Sequence, residues 1–342
     1  MALSKYGDIS EETGVMIAGE FLERAKVNMV TSLFAQTKPM PKNKSQKQKF
    51  RRYEYPWGST PKPLLEGVTP KAGKVKITDI YVDITQYGDL LELTDVVEDT
   101  HEDPVLREFS GLLGESASEM LENIRIAHLL SGTNVMFANG SYRSDVNTKV
   151  TKVMLRKIVK FLKIARASRI TKMLKSSNAY GTVSVKPAFI GLVHPAMTPD
   201  IQDLAGFKSV EDYSGISPYI NEIGAIEDIR FIEQNLLLPY EDAGGAVSTG
   251  LASTSGTKCD VYPFLVLGAN AYADVPLKGY RMQNADNKGE MVVPVEILVQ
   301  QPNKPSKSDP LGQRGSVGYK TWGATVILQD LHIVRGEAAV SE

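Results

Sequence analysis

The stretch that decides the fold runs from Asp103 to Gly132, DPVLREFSGLLGESASEMLENIRIAHLLSG. Aspartate followed by proline is a helix start, with a capping side chain and a proline at the first helical position, and Gly132 offers the stop. The spacing predicts a helix of about 28 residues, roughly 42 Å long at 1.5 Å per residue. Leu106, Phe109, Leu113, Ala117, Met120, Ile124 and Ala127 form one apolar stripe along it, with Leu130 at its edge. Its middle holds Gly111, Gly114, Ser116 and Ser118, all poor in a helix interior, each glycine costing about 1 kcal/mol against alanine. Gly111 and Gly114 therefore mark either a hinge or a place where something packs very close.

Upstream of this helix the charges separate by sign. Between Asp89 and Asp103 every charge is negative (Asp89, Glu92, Asp95, Glu98, Asp99, Glu102, Asp103), and between Lys38 and Arg52 every charge is positive (Lys38, Lys42, Lys44, Lys47, Lys49, Arg51, Arg52). Pro39 and Pro41 make the basic strip a connector. Between the strips, Val75 to Leu93 alternates apolar with polar residues and is rich in β-branched side chains, which predicts long strands. The arm from Tyr53 to Lys74 is too rich in proline and glycine to bury itself, so it is disordered or held by another molecule. Another copy of the same chain is the favoured holder. The expected subunit contacts are Lys49, Arg51, Arg52, Tyr53, Trp57, Leu65 and Glu66 on the basic side, and Asp95, Glu98, Asp99 and Glu102 on the acidic side.

Elsewhere the pattern mixes helices with strands. Ser10 caps a helix expected to end near Gln36. A second helix, from Thr151 to about Ala167, sets Met154, Ile158, Phe161, Leu162 and Ala165 against a basic face of Lys152, Arg156, Lys160 and Lys163. That basic face is a candidate DNA-facing surface, although such a helix more commonly covers a sheet with its charges in solvent. Strands are expected at Lys186 to Val193, Ile229 to Glu233, Val261 to Leu267, Met291 to Val299 and Gly323 to Leu328, with a short helix after Thr198-Pro199. Ala243 to Thr257 is rich in Gly, Ser and Thr and reads as a mobile surface loop. No solenoid or propeller repeat is present.

Composition narrows the function classes. A chain of 342 residues buries a sizeable core and normally divides into two domains. The net charge of −1 leaves nucleic-acid or membrane attraction to local patches. The one cysteine, Cys259, excludes an internal disulfide and fits a reducing compartment. With no apolar signal core and no run of about 20 apolar residues, the chain is expected to be soluble and made in the cytoplasm.

Catalytic and cofactor signatures are missing. Gly245 and Gly250 have phosphate-loop spacing, but Leu251 and Ala252 follow where Lys and Ser/Thr are needed. His101, His128, His194 and His332 are scattered and form no metal pair. The acidic strip offers oxygen ligands but lacks an EF-hand pattern, and carboxylates before a helix start are favourable there in any case. No catalytic, cofactor or metal residue is assigned.

Several pieces occur together in one order: Phe50-Arg51-Arg52-Tyr53, Leu65-Glu66-Gly67-Val68-Thr69-Pro70, Gln86-Tyr87-Gly88-Asp89 and Thr100-His101-Glu102-Asp103-Pro104-Val105. They continue as Ser131-Gly132-Thr133-Asn134-Val135, Glu222-Ile223-Gly224, Asp309-Pro310-Leu311-Gly312-Gln313-Arg314-Gly315 and Gly318-Tyr319-Lys320-Thr321-Trp322. This ordered set, from about Phe21 to Arg335, resembles the podovirus-type major capsid proteins of tailed bacteriophages, which share the Hong Kong phage capsid fold. The resemblance implies an α+β chain with an N-terminal arm (1–48), an extended loop (49–87), a peripheral domain with the long spine helix (88–185 and 290–342) and an axial domain (186–289).

It also implies a non-enzymatic protein that assembles as hexamers and pentamers into an icosahedral shell around double-stranded DNA. Portal, scaffolding and decoration proteins are the further partners implied, with assembly in the host cytoplasm, residence in the virion, and no membrane or cofactor. An encapsulin-like compartment enclosing cargo enzyme is the alternative within this fold. An enzyme with a mobile loop near Gly244 is the alternative from another class.

Overall fold

The computed structural model describes residues 30–40, 45–54, 64, 66–69, 74–100, 105–171, 186–213, 218–276, 280–283, 290–293, 295–300, 302 and 309–342. Within these the long helix is present as one uninterrupted α-helix, Val105–Leu130. It lies on an antiparallel three-stranded sheet of Val295–Gln300, Arg314–Gly323 and Thr85–Thr94. Leu113 and Ala117 are buried against Leu93, Val317 and Tyr319, with Phe109 and Met120 at the margin. The second half of the expected stripe is corrected: Ile124 is half-buried and Ala127 is exposed. From Ser118 onward the buried face is Ser118, Glu122, Arg125, Ile126 and Leu129. That sequence keeps the helical period of 3.6 but passes through two charged residues, which a search for apolar side chains alone steps around.

The basic strip forms a strand where it was expected to be a connector. Lys47–Glu54 pairs antiparallel with Lys76–Asp83 from Lys47↔Asp83 to Glu54↔Lys76. On the inner face Phe50, Ile80 and Val82 pack with Met40, Ile84, Ala273 and Val275. The alternation that buries Phe50 turns Lys49, Arg51 and Tyr53 outward.

A seven-stranded sheet carries the main core, in the order Val135–Phe137, Ile333–Ala338, Tyr262–Leu267, Phe189–Val193, Ile229–Glu233, Glu222–Ile226, Lys208–Ser209. Its inner strands are apolar on both faces because both are covered. On one face Phe189, Val193, Phe231, Phe264 and Val266 meet the amphipathic helix Lys152–Ile164 through Met154, Leu155, Ile158, Val159 and Leu162. On the other, Ile190, Leu192, Ile232, Leu265 and Leu267 meet Val30, Phe34 and the end of the long helix at Ile126 and Leu129. The amphipathic helix starts where expected, the Thr151 hydroxyl accepting from the Met154 N–H at 3.2 Å. It stops at Ile164, earlier than expected, because Arg166 adopts φ 56°. In the sheet, a Cβ on Gly336 would stand 2.1 Å from the Phe264 ring, so only glycine fits opposite that side chain.

Two further expectations are corrected. Residues 10–29 of the first helix lie outside the described residues, but the chain does not remain α-helical to Gln36: Thr31–Phe34 is a 3-10 turn and Gln36–Thr37 pairs parallel with Tyr272–Asp274. The Gly/Ser/Thr segment is tied down along its length. The Gly244 and Val247 N–H groups donate to Cys259 O and Thr257 O, and Ala252 N–H donates to Val340 O. Leu251, Cys259 and Ala339 form a small buried cluster beneath it. Small residues serve close approach here, since a Cβ on Gly244 would lie 2.5 Å from Val146 O.

Candidate assembly surface

The outward face of the hairpin gathers the sequence-selected residues Lys49, Arg51 and Tyr53 beside Ile77, Asp79 and Tyr81. Asp79 takes Arg51 Nε at 2.9 Å and Lys49 Nζ at 2.5 Å, and the hydrogen bonds from these two cations hold its carboxyl down at about 2. Lys49 Nζ also stands 5.4 Å over the Tyr81 ring. Tyr53, Ile77 and Tyr81 are each more than half exposed, so apolar surface flanks the charges. Lys49 and Arg51 of the basic strip thus find a counter-charge across the ladder in their own chain. Arg52 points the other way and donates to Leu328 O at 2.8 Å and to Gln329 Oε1, clasping the hairpin to the body.

The acidic strip lies elsewhere. Asp89 and Glu92 sit on the strand beside the long helix, and Asp95 opens the short helix Asp95–Thr100, whose Val96 and Val97 are exposed. Asp95 Oδ1 accepts from Val96 N–H at 2.9 Å, and its own N–H donates to Gln313 O. Glu98 and Asp99 belong to this helix, though their side chains fall outside the description. Trp57, Leu65 and Glu102 also lie outside the described residues, while Glu66 is exposed in a turn completed by Gly67 at φ 76°. No ion pair joins the basic and acidic candidates among the described residues. Gly111 and Gly114 are both buried in the long helix.

Three of the four candidate DNA-facing residues are already engaged by the turn between Glu222–Ile226 and Ile229–Glu233. Lys152 and Arg156 reach Glu227 at 3.4 and 3.1 Å, and Lys163 reaches Asp228 at 2.7 Å. Burial, the leading influence at Asp228 and a lesser one at Glu227, pushes both carboxyls up, but the pairs bring both down. Lys160 remains exposed.

The ordered motifs have structural roles. Asp330 accepts from Thr133 N–H and Asn134 Nδ2, at 3.1 Å each, and thereby fixes the exit of the long helix. Glu222 clasps Arg230, Nε to Oε1 at 2.5 Å, and Gly224 beside it leaves no room for a Cβ against Lys208 O. Asp309 receives Arg314 N–H at 2.9 Å, shaping the turn into the Arg314–Gly323 strand.

Sequence reading missed a buried polar cluster around Glu122. Glu122, 0% exposed, accepts from Thr31 N–H at 2.8 Å and from the Thr31 hydroxyl, while Arg125 donates to Asp274 Oδ2 at 2.8 and 3.1 Å. Tyr272 OH donates to Thr31 O. Burial pushes the Glu122 carboxyl up, against the pull of Arg125 and Thr31. A glutamate and an arginine three apart on the helix, in phase with Ser118, Ile126 and Leu129, were the available signal.

Among the described residues, no three His, Cys, Asp or Glu side chains are placed to hold a metal ion, and no helix is long and apolar enough to cross a membrane. This arrangement of a long helix on a small sheet beside a larger sheet with both faces covered superposes on solved phage capsids. The capsid of Ralstonia phage GP4 superposes with a TM-score of 0.62 at 11% identity, covering 90% of this chain and 88% of that one. The Cyanophage Pam1 capsid gives 0.58 at 9% identity over 100% and 95%, and the head of Helicobacter pylori bacteriophage KHP40 gives 0.57 at 13% over 89% and 87%. The fold is that of a tailed-phage major capsid protein. In sequence, the major capsid protein of Pseudomonas phage KPP21 is 25% identical over 276 residues, 75% of this chain and 67% of that protein. No protein-family model matches.

Proposed function

We propose that this chain is the structural subunit of an icosahedral shell enclosing double-stranded DNA. The observation that carries the reading is the capsid fold running through nearly the whole chain together with a sequence relative that is itself a major capsid protein. The role is structural and not enzymatic, and the site of action is the virion after assembly in the host cytoplasm. In this reading residues 1–48 are the N-terminal arm, 49–87 the extended loop, 88–185 and 290–342 the peripheral domain, and 186–289 the axial domain.

Hexamers and pentamers of one chain build the shell, with portal, scaffolding and decoration proteins as further partners. The projecting hairpin, its outer face bearing Tyr53, Ile77 and Tyr81, supplies contact with a neighbouring copy, and Asp95 to Glu102 supplies a second contact. DNA is met non-specifically. Since Glu227 and Asp228 occupy Lys152, Arg156 and Lys163, Lys160 is the strongest of the four candidates to face it.

Electron microscopy of the purified protein, with assay of nucleic acid in the particles, tests the reading. Closed shells that hold double-stranded DNA after infection support it. Particles that hold only protein would favour a cargo compartment, and a protein that never closes shells would overturn it.

A further inference from the structure

The parallel strands Phe189–Val193 and Ile229–Glu233 end side by side, and the crevice outside the carboxyl ends of parallel strands is where such sheets take ligands. Here it is a cavity of about 300 Å³ lined by Glu119 of the long helix, Pro195, Asn221, Glu233, Gln234 and Asn235. Its polar groups are out of balance. Glu233 accepts from the Thr198 hydroxyl at 2.6 Å, yet no basic side chain among the described residues pairs with Glu233 or Glu119. The nearby His194 supplies no counter-charge, because its Nδ1 accepts from Ala196 N–H and burial pushes its pKa down. Gln234 is 5% exposed, and its amide nitrogen has no hydrogen-bond partner. A buried donor left unmade is costly, so the lining calls for an acceptor beside Gln234.

We propose that the pocket receives a lysine or arginine from a second copy of the chain. Two carboxylates call for a cation, but a metal ion or a polyamine brings no acceptor for the Gln234 N–H. A basic residue on a polypeptide brings both, its side chain lying between Glu119 and Glu233 and a main-chain carbonyl accepting from Gln234. The choice of a second copy rests on the shell function proposed above. It also has a donor of matching charge. Lys157 is exposed on the amphipathic helix, is not among the candidates to face DNA, and has no carboxylate partner among the described residues. A pocket on one copy and a basic face on the next make a heterologous contact, the kind that closes rings.

The test places a photo-crosslinking amino acid at Asn235 in the full chain, with mass spectrometry of the assembled product, beside the double variant Glu119→Gln/Glu233→Gln. Expected are a crosslink to a lysine- or arginine-bearing peptide of another copy, and a several-fold rise in the concentration at which the folded double variant assembles. The inference is overturned if shells form with no such crosslink, if the variant assembles at the parent's concentration, or if calcium ions raise the melting temperature of the parent but not of the variant. A parent that forms no shells sinks the shell function, while crosslinking in whatever oligomer it forms still judges the pocket. A parent that stays monomeric sinks both.

Discussion

Arg51 stands directly across the hairpin from Asp79, and its Nε lies 2.9 Å from the carboxylate, with Lys49 closing on the same group from the next outward position of the strand. This cross-strand triad gives two cations of the basic strip a carboxylate partner that reading along the chain does not show.

Asp79 is expected to titrate near 2, well below the ordinary value of about 3.9 for an aspartate. A depressed carboxyl contributes stability that is present above the unfolded value and is lost as pH falls through the folded one. The hairpin pairs should therefore hold at pH 4 and disappear around pH 2. Carboxyl chemical shifts of Asp79 followed by NMR check this, and a midpoint near 4 would show that the triad does not form in solution.

Arg52 matters more to the folded chain than Arg51. Arg52→Ala removes a charged donor from Leu328 O and Gln329 Oε1 and should cost about 1–2 kcal/mol. Arg51→Ala loses only solvent-exposed pairing, with Lys49 still at Asp79, and should cost less than Arg52→Ala while altering the outward face. Denaturant unfolding of the two single variants ranks them, and equal losses would refute the clasp.

Glu122 should make stability depend on pH in the opposite sense to Asp79. Its folded value lies above the unfolded one, so the native state holds the proton more tightly and stability falls as pH rises from about 4.3 through the raised value. Glu122→Gln should abolish that dependence while retaining an acceptor for Thr31 N–H. Glu122→Ala should lose about 2–4 kcal/mol, because the Thr31 donors and Arg125 are left buried without it. Unfolding curves between pH 4 and 8 decide the matter, and parallel pH profiles for parent and Glu122→Gln would refute it.

Gly111 and Gly114 lie buried in a continuous helix, and the proposed hinge makes a definite demand. The capsid resemblance implies a shell that passes from a rounder precursor to an angular mature form, so replacing both with alanine, which should favour the straighter helix by roughly 1–2 kcal/mol per subunit, should bias shells toward whichever state has it. Cryo-electron microscopy of precursor and mature shells is the measurement. Identical curvature from Gly111 to Ser118 in the two would leave close packing as the reason for these glycines.

The long helix, the strands from Lys76 to Thr94, the amphipathic helix and the double-faced core strands were legible in the sequence, because each is dictated by local periodicity and by stop signals such as Gly132. The ordered motifs pointed to the capsid fold before any contact was known. Tertiary structure alone decided which charges are neutralised, since Asp79 lies 28 residues from Arg51 and Asp274 lies 149 from Arg125. It alone buried Glu122 on the helix face that apolar counting passed over, and it pinned the Gly/Ser/Thr segment against the chain's final residues. Periodicity reports which face of an element turns inward. It says nothing of which distant donor or acceptor will be waiting there, and for buried polar groups that partner sets the free energy.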